Sequence, residues 1–153
     1  MAEINHINIR VYGIILNENS EILLSDEYVL DRYMTKFPGG GLIPGEGTED
    51  CLRREAIEEL GQEVEVLSHY YTTGFFQKAL FYADHQLISI YYKIRMKEFP
   101  KFKISVKPFD FEGEKNGSQS FRWVSVLTLK EDELAFPIDR HVLQMLRKDL
   151  QPE

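Results

Sequence analysis

Two proline–glycine runs, Pro38-Gly39-Gly40-Gly41 and Pro44-Gly45-Glu46-Gly47, interrupt the apolar pattern of the chain and separate stretches of different period. Proline fixes φ and removes a backbone donor, while glycine enters φ > 0 freely, so regular secondary structure is not expected through this segment. It reads as a loop. Before it, Ile7, Ile9 and Val11 alternate with His6, Asn8 and Arg10, the period of a half-buried strand. Asn17-Glu18-Asn19-Ser20 reads as a turn and Glu21 to Leu30 as a second apolar run, so the first thirty residues are expected to form a hairpin. After the glycines the period becomes helical. Leu52, Ala56 and Leu60 recur every four residues, Thr48 can cap the N-terminus and Gly61 can stop the C-terminus, which predicts a helix over 48–60.

Further along, Val64 to Phe76 and Leu87 to Met96 are rich in β-branched and aromatic residues and predict two strands that turn near Ala83-Asp84-His85. Lys107 to Ser120 reads as loop and Phe121 to Val126 as a short strand. A last helix carries Ile138, Val142, Met145, Leu146 and Leu150 on one stripe behind Pro137. This order of elements implies a mixed α/β (α+β) fold, a sheet packed against helices, with residues 1–153 as a single domain. A hydrophobic content of 43% excludes global disorder. One cysteine, Cys51, excludes a disulfide scaffold and favours a reducing compartment, so the cytoplasm is expected. No uncharged apolar run approaches the ~18 residues of a membrane span. The net charge of −7, without a basic cluster, argues against binding of duplex nucleic acid. A free nucleotide would have to arrive with cations.

The predicted helix breaks a local rule. Helix C-termini favour cations, yet Glu55, Glu58 and Glu59 fall in its last two turns, within about 100° of one another around the axis. Like charges at i,i+3 and i,i+4 cost ~0.2–0.5 kcal/mol each, and Arg54, four residues before Glu58, offsets one such repulsion. A solvated acidic face is the plain reading. Convergent carboxylates beside a glycine loop also match the all-oxygen preference of Mg²⁺ or Mn²⁺, ions that bind jointly with phosphates.

Gly40, five residues, Glu46, seven residues and then Arg54-Glu55-Ala56-Ile57-Glu58-Glu59-Leu60-Gly61 resembles the signature of the Nudix hydrolases, with every charged and glycine position filled. Gln62 departs from it, where an aliphatic residue is usual. Asn17–Leu24, Phe37-Pro38-Gly39-Gly40, Arg122-Trp123-Val124 and Phe136-Pro137 are placed as in MutT-like members. The resemblance implies an α/β/α sandwich on a mixed β-sheet. It also implies Mg²⁺- or Mn²⁺-dependent hydrolysis of the pyrophosphate linkage in nucleoside diphosphate derivatives, with (d)NTPs foremost. Nucleotide sugars, dinucleoside polyphosphates and a non-catalytic nucleotide-sensing role are the alternatives. In that scheme Glu55, Glu58 and Glu59 ligate metal, with the Gly39 carbonyl as a further ligand. Arg54 orients the carboxylates, Glu46 holds loop to helix, Gly40 permits the turn and Gly61 ends the helix. The substrate is a small nucleotide, and a homodimer is compatible with the scheme.

Hydrolysis of a phosphoanhydride needs neutralised phosphate oxygens and a base for the attacking water. The base can be a glutamate of the signature or one from a later loop, where Glu114 is preferred to Glu112. Asp139 and Arg140 follow Phe136-Pro137 where MutT-like enzymes place residues that read the base, though the asparagine some of them use is absent. His6, His69, His85 and His141 show no metal-ligand spacing in sequence, and Cys51 reads as a packed small residue.

Overall fold

The computed structural model describes residues 3–151. Its elements are β1 (His6–Ile14), β2 (Glu21–Val29), β3 (Arg32–Lys36), β4 (Gly39–Gly41), α1 (Thr48–Leu60), β5 (Val64–Thr72), β6 (His85–Met96), β7 (Ser118–Ser125) and α2 (Pro137–Leu150), with a 3-10 turn at Glu131–Glu133. They fall into two compact units, one built from residues up to Ile14 with Gly39–Phe99, the other from Ile15–Pro38 with residues from Pro100 on. Among the described residues no helix is long and apolar enough to cross a membrane.

The first unit is a mixed four-stranded sheet in the order β4-β1-β6-β5. β1 runs parallel to β6 and antiparallel to β4, and β5 pairs antiparallel with β6. Helix α1 lies against β4, β1 and β5. Its buried face is Cys51, Leu52, Ala56 and Leu60, which joins Val11, Ile14, Val64 and Ile94 in the core. Gly61 stops the helix in the left-handed region (φ 68°) and returns its N–H to the Ile57 carbonyl, as expected of a glycine there.

Three expectations change in this unit. β1 does not form a hairpin with β2: the turn at 17–20 forms, but pairing stops at the single bridge Leu16–Ile22, and β2 belongs to another sheet. Gly39–Gly41, expected in a loop, is a strand, because its backbone pairs antiparallel with Arg10–Tyr12, and at Gly39 a side chain would not fit against Val11 and Tyr12. The cap of α1 is Gly47 rather than Thr48. The Asp50 carboxylate accepts from the Gly47 N–H at 3.2 Å, and the Thr48 hydroxyl instead meets the Tyr92 hydroxyl at 2.7 Å. Burial along β6 follows no simple alternation. Ser89, Tyr91 and Ile94 are its buried residues, since it is paired on both edges and its register with β5 shifts twice.

The second unit is an antiparallel sheet in the order β3-β2-β7 together with α2. β7 starts at Ser118, earlier than the apolar run predicts, because Ser118–Ser120 complete the ladder to Asp26–Tyr28. Pro137 opens α2, and Ile138, Val142, Leu143 and Leu146 form its buried stripe. Arg147 near its C-terminus donates to the carbonyls of Val126 and Leu129, tying the helix to the segment that follows β7. Inside the sheet, the fully buried Asp26 accepts from Thr35 Oγ1 at 2.6 Å and from Arg122 Nε at 2.7 Å. A buried charge held by both flanking strands fixes their register to β2.

Candidate active site

Arg54, on the turn of α1 that faces β4, is the hub of the first unit's charged residues. Its Nε and Nη2 grip the two oxygens of Glu46 at 3.0 and 2.8 Å, a bidentate pair, and Nη2 also donates to the Gly41 carbonyl at 3.0 Å. The third nitrogen, Nη1, reaches Glu55 Oε1 and Glu58 Oε2, each at 3.1 Å. One guanidinium thus binds the glycine segment, the loop acid and two carboxylates of the helix. This answers the like-charge crowding that the sequence exposes. Glu59 lies half-buried on the same helix.

Glu46 closes its own loop as well, accepting the Ile43 N–H at 2.9 Å. The Arg54 hydrogen bonds, followed by the Ile43 N–H, hold its carboxyl down to about 2, and the hydrogen bond to Glu46, helped by the Glu55 charge, pushes the Arg54 guanidinium upward. A carboxyl depressed in the folded state contributes stability that is complete above its ordinary range and is lost as pH falls through its folded value. The stability of the wild-type protein is therefore expected to fall between about pH 4.5 and pH 2, and more steeply than that of Glu46→Gln. Urea melts at stepped pH measure this, and parallel slopes for the two proteins would show that Glu46 is not a source of the acid sensitivity.

Gly40 does not serve a positive-φ turn. Its Cα lies under the Glu55 carboxylate, and a Cβ there would overlap that group, within 2.6 Å of Glu55 Cδ. Gly39 does take positive φ (143°), and a Cβ on it would meet the Val11 carbonyl. Cys51 is fully buried, with Sγ 3.5 Å from the Gly41 carbonyl. Burial, then the Glu46 charge, pushes its thiol to about 12, so it packs and does not act as a nucleophile.

Gly40, Glu46, Arg54, Glu55 and Glu58 are therefore brought into one contact network, with Gly39 beside it in β4 and Gly61 ending α1. Glu114, Glu112, Asp139 and Arg140 belong to the second unit. Glu114 is exposed, and its carboxylate accepts from the hydroxyls of Tyr33 at 3.0 Å and Tyr28 at 3.4 Å; burial, then the Glu114 charge, raises the Tyr28 phenol, and the hydrogen bond to Glu114, then burial, raises that of Tyr33. Glu112 is exposed in the same loop. Asp139 is fully buried and accepts the Phe37 N–H at 3.4 Å, while Arg140 Nε donates to the Leu134 carbonyl at 2.9 Å.

Two groupings were not legible in the sequence. In the second unit, Lys36 and Glu27 pair at 3.0 Å with little exposure, joined by Ser25 and Gln119. The run of polar residues Ser25-Asp26-Glu27 within β2 was the only sign of it. In the first unit, His6, Asp84 and His85 meet although the first two stand 78 positions apart.

Residues 6–146 match the family model of the NUDIX domain. No curated protein matches the chain at a significant level. Among solved structures, a NUDIX hydrolase from Nitrosomonas europaea is similar with a TM-score of 0.67 at 16% identity, over 95% of this chain and 97% of that one. The MutT protein from Methanosarcina mazei Go1 gives 0.65 at 19% identity, over 97% and 98%. An ADP-ribose pyrophosphatase from Streptococcus suis 89-1591 gives 0.62 at 17%, over 95% and 93%.

Proposed function

Because the chain belongs to the Nudix family, a family of hydrolases acting on pyrophosphate bonds, we propose that it is a Mg²⁺- or Mn²⁺-dependent pyrophosphohydrolase of nucleoside diphosphate derivatives, (d)NTPs foremost. The observation that carries this reading is the Arg54 hub, which gathers Glu46, Glu55 and Glu58 beside the glycine strand. The match over residues 6–146 runs through both units and supports treating the chain as one functional domain.

The donor set fits a hard cation: carboxylates alone, next to backbone carbonyls, with no sulfur or imidazole among them. Glu55, Glu58 and Glu59 would hold it, with the Gly39 carbonyl as a further ligand. When bound, such a cation neutralises phosphate oxygens and acidifies a coordinated water. The protein's own part is geometric and protolytic. Arg54 fixes the carboxylates of Glu55 and Glu58 and is a positioning residue, as is Glu46, which anchors the guanidinium. Gly40 leaves room for Glu55. A carboxylate takes the proton of the attacking water, whose oxygen bonds to phosphorus while the bridging P–O bond breaks and the leaving phosphate departs with the electron pair.

We assign the proton acceptor to Glu58, the most exposed carboxylate of the hub; Glu114 is the alternative base on the loop before β7. Asp139 Oδ2 accepts from the Phe37 N–H and Arg140 Nε donates to the Leu134 carbonyl, contacts that support a role in holding α2 beside the base-reading role that the resemblance implies. The lone cysteine supports a reducing, cytoplasmic setting.

The test is a hydrolysis panel of NTPs, dNTPs, dinucleoside polyphosphates and nucleotide sugars with Mg²⁺ or Mn²⁺, the products resolved as phosphate, pyrophosphate or nucleoside monophosphate. Monophosphate release from (d)NTPs is expected. Faster turnover of nucleotide sugars would move the substrate class, and binding without product from every member would overturn the enzymatic reading.

A further inference from the structure

The starts of β1 and β6 carry a second set of donor side chains, of different chemistry from the carboxylates of α1. His6 opens β1 and His85 opens β6, and the parallel register pairs these two residues directly. Their imidazoles stack with centroids 4.5 Å apart and planes 8° from parallel. Asp84 precedes His85 in the turn. Its carbonyl accepts the N–H groups of Asn5 (2.9 Å) and His6 (3.2 Å), which pins the first residues of β1 to the turn before β6. Its carboxylate splits between the rings, with Oδ1 2.7 Å from His85 Nδ1 and Oδ2 3.5 Å from His6 Nδ1. The Asn5 side-chain oxygen also touches His6 Nδ1.

One nitrogen from each ring and one carboxylate oxygen thus lie within 4.8 Å of one another. Ligands at about 2.0–2.1 Å from a tetrahedral Zn²⁺ stand roughly 3.3–3.4 Å apart, so the set closes on an ion once the stacked rings turn out of parallel and aim both in-plane lone pairs at one point. The backbone already fixes the three Cα positions through the His6–His85 register and the Asp84 carbonyl. Two imidazoles and one carboxylate suit borderline ions such as Zn²⁺, whereas Mg²⁺ and Mn²⁺ prefer oxygen. The excess of acids over bases in the chain favours any cation.

We propose that His6, Asp84 and His85 form a Zn²⁺-class site, separate from the carboxylates of α1, that clamps the start of β1 to the start of β6. It leaves at least one coordination position for water or the Asn5 oxygen. The site joins two segments remote in sequence, so occupancy stabilises the fold by mass action.

The test is Zn²⁺ titration by calorimetry in the presence of excess Mg²⁺, on the full chain, with thermal unfolding in parallel. One Zn²⁺ per chain and a raised Tm are expected. Loss of even a residue that only supports a metal ligand weakens metal binding about 10–100-fold, so His6→Ala and His85→Ala should each weaken it at least that much. A Glu55→Gln/Glu58→Gln protein should keep the wild-type Zn²⁺ affinity. His6 is exposed, and the circular dichroism of His6→Ala without Zn²⁺ checks that it folds. Zn²⁺-dependent shifts of the His6 and His85 ring resonances in the unsubstituted protein read ligation without any variant. Absence of Zn²⁺ binding under excess Mg²⁺, an unchanged affinity in His6→Ala, or loss of binding only in the glutamine double variant would each overturn the proposal.

Discussion

Glu58→Gln is expected to lower kcat by a factor of about 10²–10⁴, the range over which a positioned general base contributes, while leaving the fold intact. The substitution is close to isosteric but removes the charge, so the side chain can neither accept the proton of the attacking water nor offer an anionic oxygen to a divalent cation. The stability side of the ledger is small. The Glu58 side chain is 57% exposed, and its ion pair with Arg54 is of the exposed i,i+4 kind, worth about 0.3–0.5 kcal/mol. Removing the charge also relieves its i,i+3 repulsion with Glu55, a term of similar size and opposite sign. Urea melts should therefore differ by no more than about 0.5 kcal/mol. Glu49→Gln, in the first turn of the same helix, is the control and should keep its kcat. A Glu58→Gln enzyme within a few-fold of wild-type kcat at saturating Mg²⁺ would remove Glu58 from the mechanism; Glu114→Gln, run alongside, then reports on the alternative base.

What could be read in the sequence and what could not divide along a physical line. Helix α1 was legible except at its cap, because Leu52, Ala56, Leu60 and Gly61 are local signals, each sufficient at its own position. Arg54, Glu55, Glu58 and Glu59 were legible because their spacing on one helix already places them close together around its axis. Strand identity was legible too, as β1 shows, but its partners were not. The same alternation in Ile7, Ile9 and Val11 serves a hairpin or a parallel neighbour equally well, and the choice of β6 rests on contacts some eighty residues away. Gly39–Gly41 carries no β-pattern at all. It is a strand because Val11 and Tyr12 lie against it, so the information resides in the partner. The pairing of His6 with His85, and of Lys36 with Glu27, is hidden for the same reason: register brings them together, and register is not written in local composition.

Gly40→Ala isolates the contact that the signature glycine makes possible. The backbone there is an ordinary strand conformation that alanine accepts, and in a strand alanine is favoured over glycine by roughly 0.5–1 kcal/mol. Any loss must therefore come from the added methyl, which would overlap the Glu55 carboxylate. Overpacking of this kind costs about 1–3 kcal/mol. The obstructing atoms are the end of a flexible side chain, so Glu55 is expected to swing away and forfeit its 3.1 Å contact with Arg54. Activity should then fall further than stability, because the displaced group is a proposed metal ligand. The cycle with Glu55→Ala decides the cause. With the carboxylate gone, the same Gly40→Ala change should be neutral or mildly stabilising, which gives a coupling of about 1–3 kcal/mol between the two positions. An equal cost in both backgrounds would trace the loss to the packing of β4 on β1 and would separate Gly40 from the carboxylate site.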